Sequence, residues 1–138
     1  MGNVTKLKAY GFKKVGEWEL KKDEIRPIFF DDILKLERVI YAYVVNSRAK
    51  YIGICHTENS RLERRLRYHR WRNNKKLTSV AELRKNLKNK KKVYIFAWKP
   101  SNKIKYKWLN VDLISGLEKP LIVRFKTTVE YGGWNKQV

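Results

Sequence analysis

The sequence predicts one folded domain that mixes β-strands with α-helices, on the basis of three patterns. Residues 39–54 read Val-Ile-Tyr-Ala-Tyr-Val-Val-Asn-Ser-Arg-Ala-Lys-Tyr-Ile-Gly-Ile, two β-branched and aromatic runs around a polar break, which predicts a β-hairpin. Residues 93–98 form another apolar run and predict a third strand. Three further stretches, near residues 60–72, 79–88 and 110–125, repeat apolar residues at helical spacing.

The N-terminal quarter carries weaker signals than the rest of the chain. Residues 1–38 are expected to form a small N-terminal extension packed on a core domain of residues 39–138. Short extended pieces are expected at Gly11-Phe12 and over residues 15–20, and Pro27 is expected to break the chain. With 138 residues, 43% of them hydrophobic, the chain is long enough to bury a core of its own.

The charge of the chain is its least ordinary property. Lys and Arg number 33 against 13 Asp and Glu, a formal net charge of +20. Such a surface repels itself unless it meets a polyanion, so a nucleic-acid partner is expected. A solubilising surface and a structural RNA-binding protein are the alternatives.

The cysteine content and the hydropathy of the chain exclude several classes of protein. Cys55 is the single cysteine, which excludes an intrachain disulfide and cysteine-ligated zinc. The N-terminus lacks the apolar core of a signal peptide, and no apolar stretch is long enough to cross a bilayer. We therefore expect a cytoplasmic protein with no membrane partner and no small-molecule cofactor.

The helix after the hairpin is expected to begin at Asn59 or Ser60, with Leu62 and Leu66 as its buried stripe. Arg65 and His69, four residues apart, lie beside that stripe. The other basic residues of this region and of the later segments are candidates for phosphate contacts. They are Arg61, Arg64, Arg67, Arg70, Arg72, Lys85, Lys88, Lys103 and Lys105.

Two tyrosines and one glutamate are the strongest candidates for chemistry. Tyr41 and Tyr51 begin the two runs of the hairpin, so folding it brings them close together, and Gly53 leaves room for a close approach. Glu118 lies among the leucines of the 110–125 stripe and should sit at the edge of the core. Pro120 is expected to kink or restart this helix.

Taken together, these pieces resemble the GIY-YIG nuclease family over roughly residues 39–135. The resemblance is to a compact stand-alone member of the restriction or homing type. The matching pieces, in chain order, are Val39-Ile40-Tyr41, Tyr51-Ile52-Gly53, Arg65-Leu66 with His69, Glu118 with Leu121-Ile122, and Trp134-Asn135.

The resemblance implies a central three-stranded antiparallel β-sheet flanked by helices, and metal-dependent hydrolysis of DNA phosphodiester bonds. In the roles it implies, Glu118 holds a single divalent ion, Mg²⁺ or alternatively Mn²⁺, and Tyr41 acts as general base. A phenol has a pKa of about 10 and is a weak base at neutral pH unless cations stabilise the phenolate. Lys50 is the candidate cation.

The remaining implied roles concern the scissile phosphate. Arg65 would clamp it, and Tyr51 and His69 would position it or relay protons. Asn135 would order the site from behind.

Some positions depart from the family pattern and leave alternatives open. Val39 replaces the glycine of the first motif, and Gly132-Gly133 replaces a proline often found before the last asparagine. Arg61, ten residues after Tyr51, rivals Arg65 as the catalytic arginine. Duplex DNA is the expected substrate, with a homodimer needed to cut both strands of a palindrome. A non-catalytic DNA- or RNA-binding module on the same fold is the alternative function.

Overall fold

The computed structural model describes residues 3–30, 37–55, 62, 66, 78–100 and 104–136. Three α-helices, seven β-strands and one 3₁₀ turn have described bounds, and Leu62 and Leu66 are helical as well. The helices are α1 (Asn3–Tyr10), α2 (Thr78–Lys88) and α3 (Leu113–Phe125), and the 3₁₀ turn is Val129–Tyr131. The strands are β1 (Lys13–Lys21), β2 (Glu24–Phe29), β3 (Val39–Val45), β4 (Arg48–Cys55), β5 (Val93–Trp98), β6 (Lys105–Tyr106) and β7 (Leu109–Asn110).

The main sheet has five antiparallel strands in the order β2-β1-β5-β3-β4. The predicted hairpin is β3-β4, and the predicted third strand is β5, which pairs with β3. The prediction of a mixed α+β domain is confirmed. None of the helices in the described part of the chain is long and apolar enough to span a membrane.

The expected three-stranded sheet was an underestimate, because residues 13–29 add β1 and β2 to the same sheet. Strand β1 pairs with β5, and β2 pairs with β1 as an edge strand. Pro27 does not break the chain but lies within β2, opposite Trp18. An edge strand tolerates proline because one side of its backbone has no partner strand that needs the missing N–H.

A β-bulge in the hairpin decides which way its second strand faces. Asn46 and Ser47 have φ of 51° and 64°, the conformation of a tight two-residue hairpin turn. The register then shifts by one residue, so that Val44 lies opposite Ala49 but Tyr43 lies opposite Tyr51. Without the extra residue, Lys50, the side chain of Tyr51 would point to the other face of the sheet.

The two faces of the sheet carry separate cores. On the tyrosine face, which bears Tyr41, Tyr43 and Tyr51, the sheet packs against Val80 and Leu83 of α2 and against two further leucines. Those leucines, Leu62 and Leu66, are buried helical residues, as their spacing predicted.

The opposite side, the aliphatic face, bears Ile40, Ala42 and Ile52. Leu7 of α1 packs on it, together with four residues of α3, which are Ile114, Leu121, Ile122 and Phe125. The two cores make the sheet the middle layer between helices.

Helix α3 has a capping residue at each end. Asp112 caps its N-terminus, where its Oδ1 accepts hydrogen bonds from the backbone N–H groups of Ile114 (3.1 Å) and Ser115 (3.4 Å). Lys126, with φ of 51°, ends it in the left-handed conformation. The helix does not restart at the exposed Pro120 but runs through it in one piece.

Candidate active site

Three tyrosines, not two, meet on the tyrosine face. The ring centroids of Tyr41 and Tyr51 are 6.2 Å apart, and the ring of Tyr43 lies 5.7 Å from Tyr41 and 5.2 Å from Tyr51. The expected proximity of Tyr41 and Tyr51 is therefore present. Tyr43 was missed, although its position two residues after Tyr41 places it on the same face of any strand.

Gly53 makes room for the ring of Tyr41. The two residues are register partners on β3 and β4, and the tyrosine ring lies across the glycine. A Cβ added to Gly53 would stand 2.5 Å from the Tyr41 hydroxyl oxygen and closer still to the ring, which no real side chain tolerates. The glycine after the second tyrosine is thus required by the first tyrosine, not by its own backbone conformation.

The two candidate catalytic tyrosines differ in exposure. Tyr41 is fully buried, its hydroxyl included, whereas Tyr51 is half-buried. Tyr51 is consequently the one that solvent reaches in this structure. A substrate that meets the Tyr41 hydroxyl has to displace what covers it.

The side chain of Asn135 forms hydrogen bonds with the outer edge of β4. Its side-chain Oδ1 accepts a hydrogen bond from the backbone N–H of Ile52 (2.9 Å), and its Nδ2 donates to the Ile52 carbonyl oxygen (3.0 Å). The Thr127 hydroxyl donates to the same Oδ1 at 2.7 Å. One amide group thereby satisfies both backbone groups of an edge-strand residue, as a neighbouring strand would.

Trp134 extends this closure to the tyrosine face. Its backbone N–H donates to the Lys50 carbonyl oxygen at 2.7 Å, and its buried ring lies 6.3 Å from the ring of Tyr43. Gly133, just before it, passes so close to the Thr127 backbone that any Cβ there would collide with the carbonyl group. Residues 127–136, the closing segment, therefore run from α3 around the β4 edge to the tyrosines.

Lys50, the bulge residue, faces the closing segment. Its Nζ donates a hydrogen bond to the Gly132 carbonyl oxygen at 3.2 Å. Burial lowers the pKa of Lys50 below its ordinary value of 10.5, and the nearby cations Arg48 and Lys91 lower it further, against a raising effect from Glu82. The charged ammonium is thus less favourable here than in water.

Glu118 lies on α3 between residues of its buried stripe, four positions from Ile114 and four from Ile122. Its side chain is half-buried, at the edge of the core as expected. Helix α3 packs on the aliphatic face, and most closely on β4. Helix α3 and the tyrosine rings consequently lie on opposite sides of the sheet, and the β4 edge lies between those sides.

Three of the lysines predicted to contact phosphates lie in the described part of the chain. Lys85, Lys88 and Lys105 are exposed, as phosphate-contacting residues would be, and Lys88 Nζ lies 3.9 Å from Asp23 Oδ1. The remaining candidates lie outside the described residues. They are Arg61, Arg64, Arg65, Arg67, His69, Arg70, Arg72 and Lys103.

No protein-family model matches the chain. No curated protein sequence matches it either.

The solved structures that are similar to it include two nucleases. One is a mutant of EndoII from bacteriophage T4, with a TM-score of 0.69 and 25% sequence identity, covering 88% of this chain and 93% of that protein. The other is the restriction endonuclease HPY188I in complex with product DNA, with a TM-score of 0.55 and 16% identity over 87% of this chain and 75% of that one. Over most of its length, the chain has the fold of these nucleases.

Proposed function

We propose that this protein is a metal-dependent DNA endonuclease of the GIY-YIG type, of restriction, homing or mobile-element origin. The observation that carries the proposal is the hairpin, in which Tyr41 lies across Gly53 and both tyrosines share one face, within a fold similar to a phage endonuclease over 88% of the chain. The net charge of +20 suits a phosphate-rich substrate.

The chemistry assigned to the tyrosines follows from their positions. Tyr41 acts as general base on the attacking water, with its ring held in place by Gly53 and by the rings of Tyr43 and Tyr51. The half-buried Tyr51 contacts the scissile phosphate. Lys50, the residue before Tyr51 on β4, is the cation assigned to stabilise the phenolate.

We assign binding of the phosphate to basic residues of segment 61–72, and support of the site to the closing segment. Arg65 clamps the phosphate and neutralises its developing charge, His69 positions the phosphate or relays protons, and Arg61 is the rival to Arg65. Asn135 acts from behind by holding Ile52, next to Tyr51, through both of its backbone groups. Its role is that of a positioning residue.

A single magnesium ion, or manganese in its place, fits the residues present. Within the described ranges no three His, Cys, Asp or Glu side chains cluster, and Glu118 offers one half-buried carboxylate. Mg²⁺ commonly binds through one or two carboxylates and completes its shell with water and substrate phosphate. Held by Glu118, it would lower the cost of developing negative charge on the phosphate.

The placement of helix α3 and of the tyrosine rings limits how the substrate binds. Because α3 and the tyrosine rings belong to opposite faces, a phosphate that contacts both has to lie at the β4 edge. Cutting both strands of a palindrome then requires two copies of the chain or two successive encounters.

The proposal is tested by incubating supercoiled plasmid with wild-type protein and Mg²⁺, with EDTA, and with the Glu118→Gln variant. We expect nicking or linearisation with Mg²⁺ that is lost with EDTA and falls by at least about a hundredfold in the variant. Lys119→Gln, an exposed neighbour on the same helix, is the matched control and should cut normally.

Failure of the wild-type protein to cleave any DNA with Mg²⁺ or Mn²⁺, while binding it in gel-shift assays, would overturn the catalytic proposal. The same fold would then serve as a basic nucleic-acid-binding module. Preference for folded RNA over duplex DNA in that assay would identify RNA as its ligand.

A further inference from the structure

Strands β6 and β7 form a separate two-stranded hairpin, residues 104–110, that belongs to neither core. Lys107 and Trp108 form its turn, with φ of 46° and 67°. Trp108, at the tip, is 92% exposed. The apolar residues beside it are exposed as well, with Ile104 at 52%, Tyr106 at 64% and Leu109 at 68%.

The fold itself gives no reason for a tryptophan at this tip. Tight turns of this kind favour Asn or Gly, because a bulky side chain is strained at positive φ. Trp108 gains almost no burial in exchange, although tryptophan is among the residues that benefit most from it. An aromatic ring presented in this way, on a ribbon of exposed apolar residues, is typical of a binding surface.

The charges of the hairpin indicate the class of partner. Residues 99–111 contain four lysines and no acidic residue. Within the described part, Lys105 and Lys107 alternate with the exposed apolar side chains, and Lys107 Nζ lies 5.5 Å from the centre of the Tyr106 ring. Lysines beside an exposed aromatic ring suit a ligand with both phosphates and flat bases, which is nucleic acid.

The hairpin is also tied to the helix that carries Glu118. The Val111 N–H donates to the Ile104 carbonyl oxygen at 3.0 Å and closes the base of the hairpin. The next residue is Asp112, the N-cap of α3, which Arg38 contacts at 3.6 Å between Nη2 and Oδ1. Glu118 follows about 9 Å further along the helix axis. A hairpin seated on DNA therefore fixes where α3 stands on it.

We infer that Trp108 inserts between base pairs of duplex DNA, and that this insertion sets the position of the cut relative to α3. Since it concerns how DNA is held, the inference rests on the proposed function. The side chain acts as an apolar wedge that unstacks one base step, while Lys105 and Lys107 contact the flanking phosphates.

The experiment measures binding and base unstacking in EDTA, so that neither depends on cleavage. The probe is a set of duplexes that carry 2-aminopurine, whose fluorescence rises on unstacking, at successive positions. We expect wild-type protein to raise the fluorescence at one step. Trp108→Ala should abolish the rise and weaken binding about tenfold. Trp108→Phe should restore most of both, since its ring can still insert.

Two further variants separate the wedge from charge and from general exposure. Lys105→Ala should reduce the salt dependence of binding by about one counterion, whereas Trp108→Ala should leave it unchanged. Phe30→Ala removes an exposed aromatic that follows β2, an edge strand of the main sheet, and should change neither signal. Trp108 is so exposed that its removal should leave the melting temperature unaltered.

The inference is overturned if Trp108→Ala binds as tightly as wild type and gives the same 2-aminopurine signal. It is also overturned if the variant alters only self-association in sedimentation, which would make the hairpin a protein contact. A wild-type protein that unstacks DNA through Trp108 but cleaves nothing would overturn the proposed function and the part of the inference that concerns the cut, and would support the insertion of Trp108 alone. With active protein and Mg²⁺, Trp108→Ala should cut at shifted or scattered positions.

Discussion

The two faces of the sheet have different chemistry although they share the same strands. The tyrosine face combines rings and hydroxyl groups, with Trp18 and Trp134 packed against Tyr43 at 5.7 and 6.3 Å between centroids. The aliphatic face has Ile40, Ala42 and Ile52 beneath α1 and α3. A single hairpin thus places candidate catalytic side chains on one face of the sheet and apolar side chains that pack against helices on the other.

This division assigns stability and chemistry to separate surfaces. The aliphatic face holds α3, and with it Glu118 and the hairpin that presents Trp108, by burying the apolar side chains of the helix. The tyrosine face needs exact ring positions, which a glycine and the closing segment enforce. Substitutions on the first face should therefore change stability before activity, and those on the second should change activity at least as much.

The largest effect on stability is expected from Leu121→Ala on the aliphatic face. Leu121 is 3% exposed, so removing its side chain should cost about 2–5 kcal/mol of unfolding free energy through lost burial and the cavity left behind. Denaturant unfolding measures this. Val123→Ala, where the side chain is 60% exposed on the same helix, should cost little. Equal losses of unfolding free energy in the two variants would show that packing on the aliphatic face does not stabilise α3.

The next effect is expected from Gly53→Ala on the tyrosine face. The new methyl group has to displace the Tyr41 ring, which should cost about 1–3 kcal/mol and reduce plasmid cleavage strongly even where the protein stays folded. Gly116→Ala is the matched control, because its Cβ meets nothing within 4 Å. Within helix α3 that change should stabilise the protein by about 0.5–1 kcal/mol. Normal plasmid cleavage by the Gly53→Ala variant would contradict the claim that the tyrosine face needs exact ring positions.

A smaller effect on stability is expected from Asn135→Ala, at the β4 edge that separates the two faces. The backbone N–H and C=O of Ile52 both lose their partner, a cost of about 1–3 kcal/mol that water at the edge partly offsets. The amide proton of Ile52 should exchange faster with solvent, as NMR can measure residue by residue. Asn89→Ala, at the exposed end of α2, removes the same side chain as a control. Unchanged exchange at Ile52 would show that the closing segment does not hold β4.

The smallest effect concerns pH and the cap of α3. Burial raises the pKa of Asp112, but hydrogen bonds from Ser115 and Ile114 and the charge of Arg38 together lower it below its usual 3.8. This contribution to stability is present above pH 3.8 and is lost as the pH falls through the lower pKa of the folded state. Asp112→Asn still caps the helix but cannot titrate, so its stability should depend less on pH in that acid range. Thermal melts across the range compare the two proteins, and parallel curves would contradict the assignment.

Local patterns in the sequence were enough to predict the hairpin, strand β5, helices α2 and α3, and the meeting of Tyr41 with Tyr51. They succeeded because strand and helix periodicities are written in neighbouring residues. The extended piece predicted over residues 15–20 lies within β1, but its place in the main sheet was not recognised, because β1 pairs with β5, about 80 residues later, and charged residues such as Lys14 and Glu17 interrupt its apolar pattern. Strand β2 was not predicted. Long-range pairing leaves no local signal.

The candidate site shows the same limit more sharply. Gly53 was recognised as a place of close approach, but only the register shows that the Tyr41 ring is what approaches it. The bulge at Lys50, which turns Tyr51 towards Tyr43, depends on pairing geometry and not on residue type. The two hydrogen bonds of Asn135 join residues 83 positions apart in the sequence. The sequence alone therefore could not show that Ile52 is the partner of Asn135.

That span also has a consequence for how the chain folds during synthesis. Strand β4 leaves the ribosome long before Trp134 and Asn135, and until they arrive its outer edge offers unpaired backbone groups at Lys50 and Ile52. A nascent chain is thus open to pairing with other strands through most of translation, and its tyrosines are not yet braced. Synthesis of the closing segment ends the period of aggregation risk and, in the same step, completes the support of the tyrosine cluster.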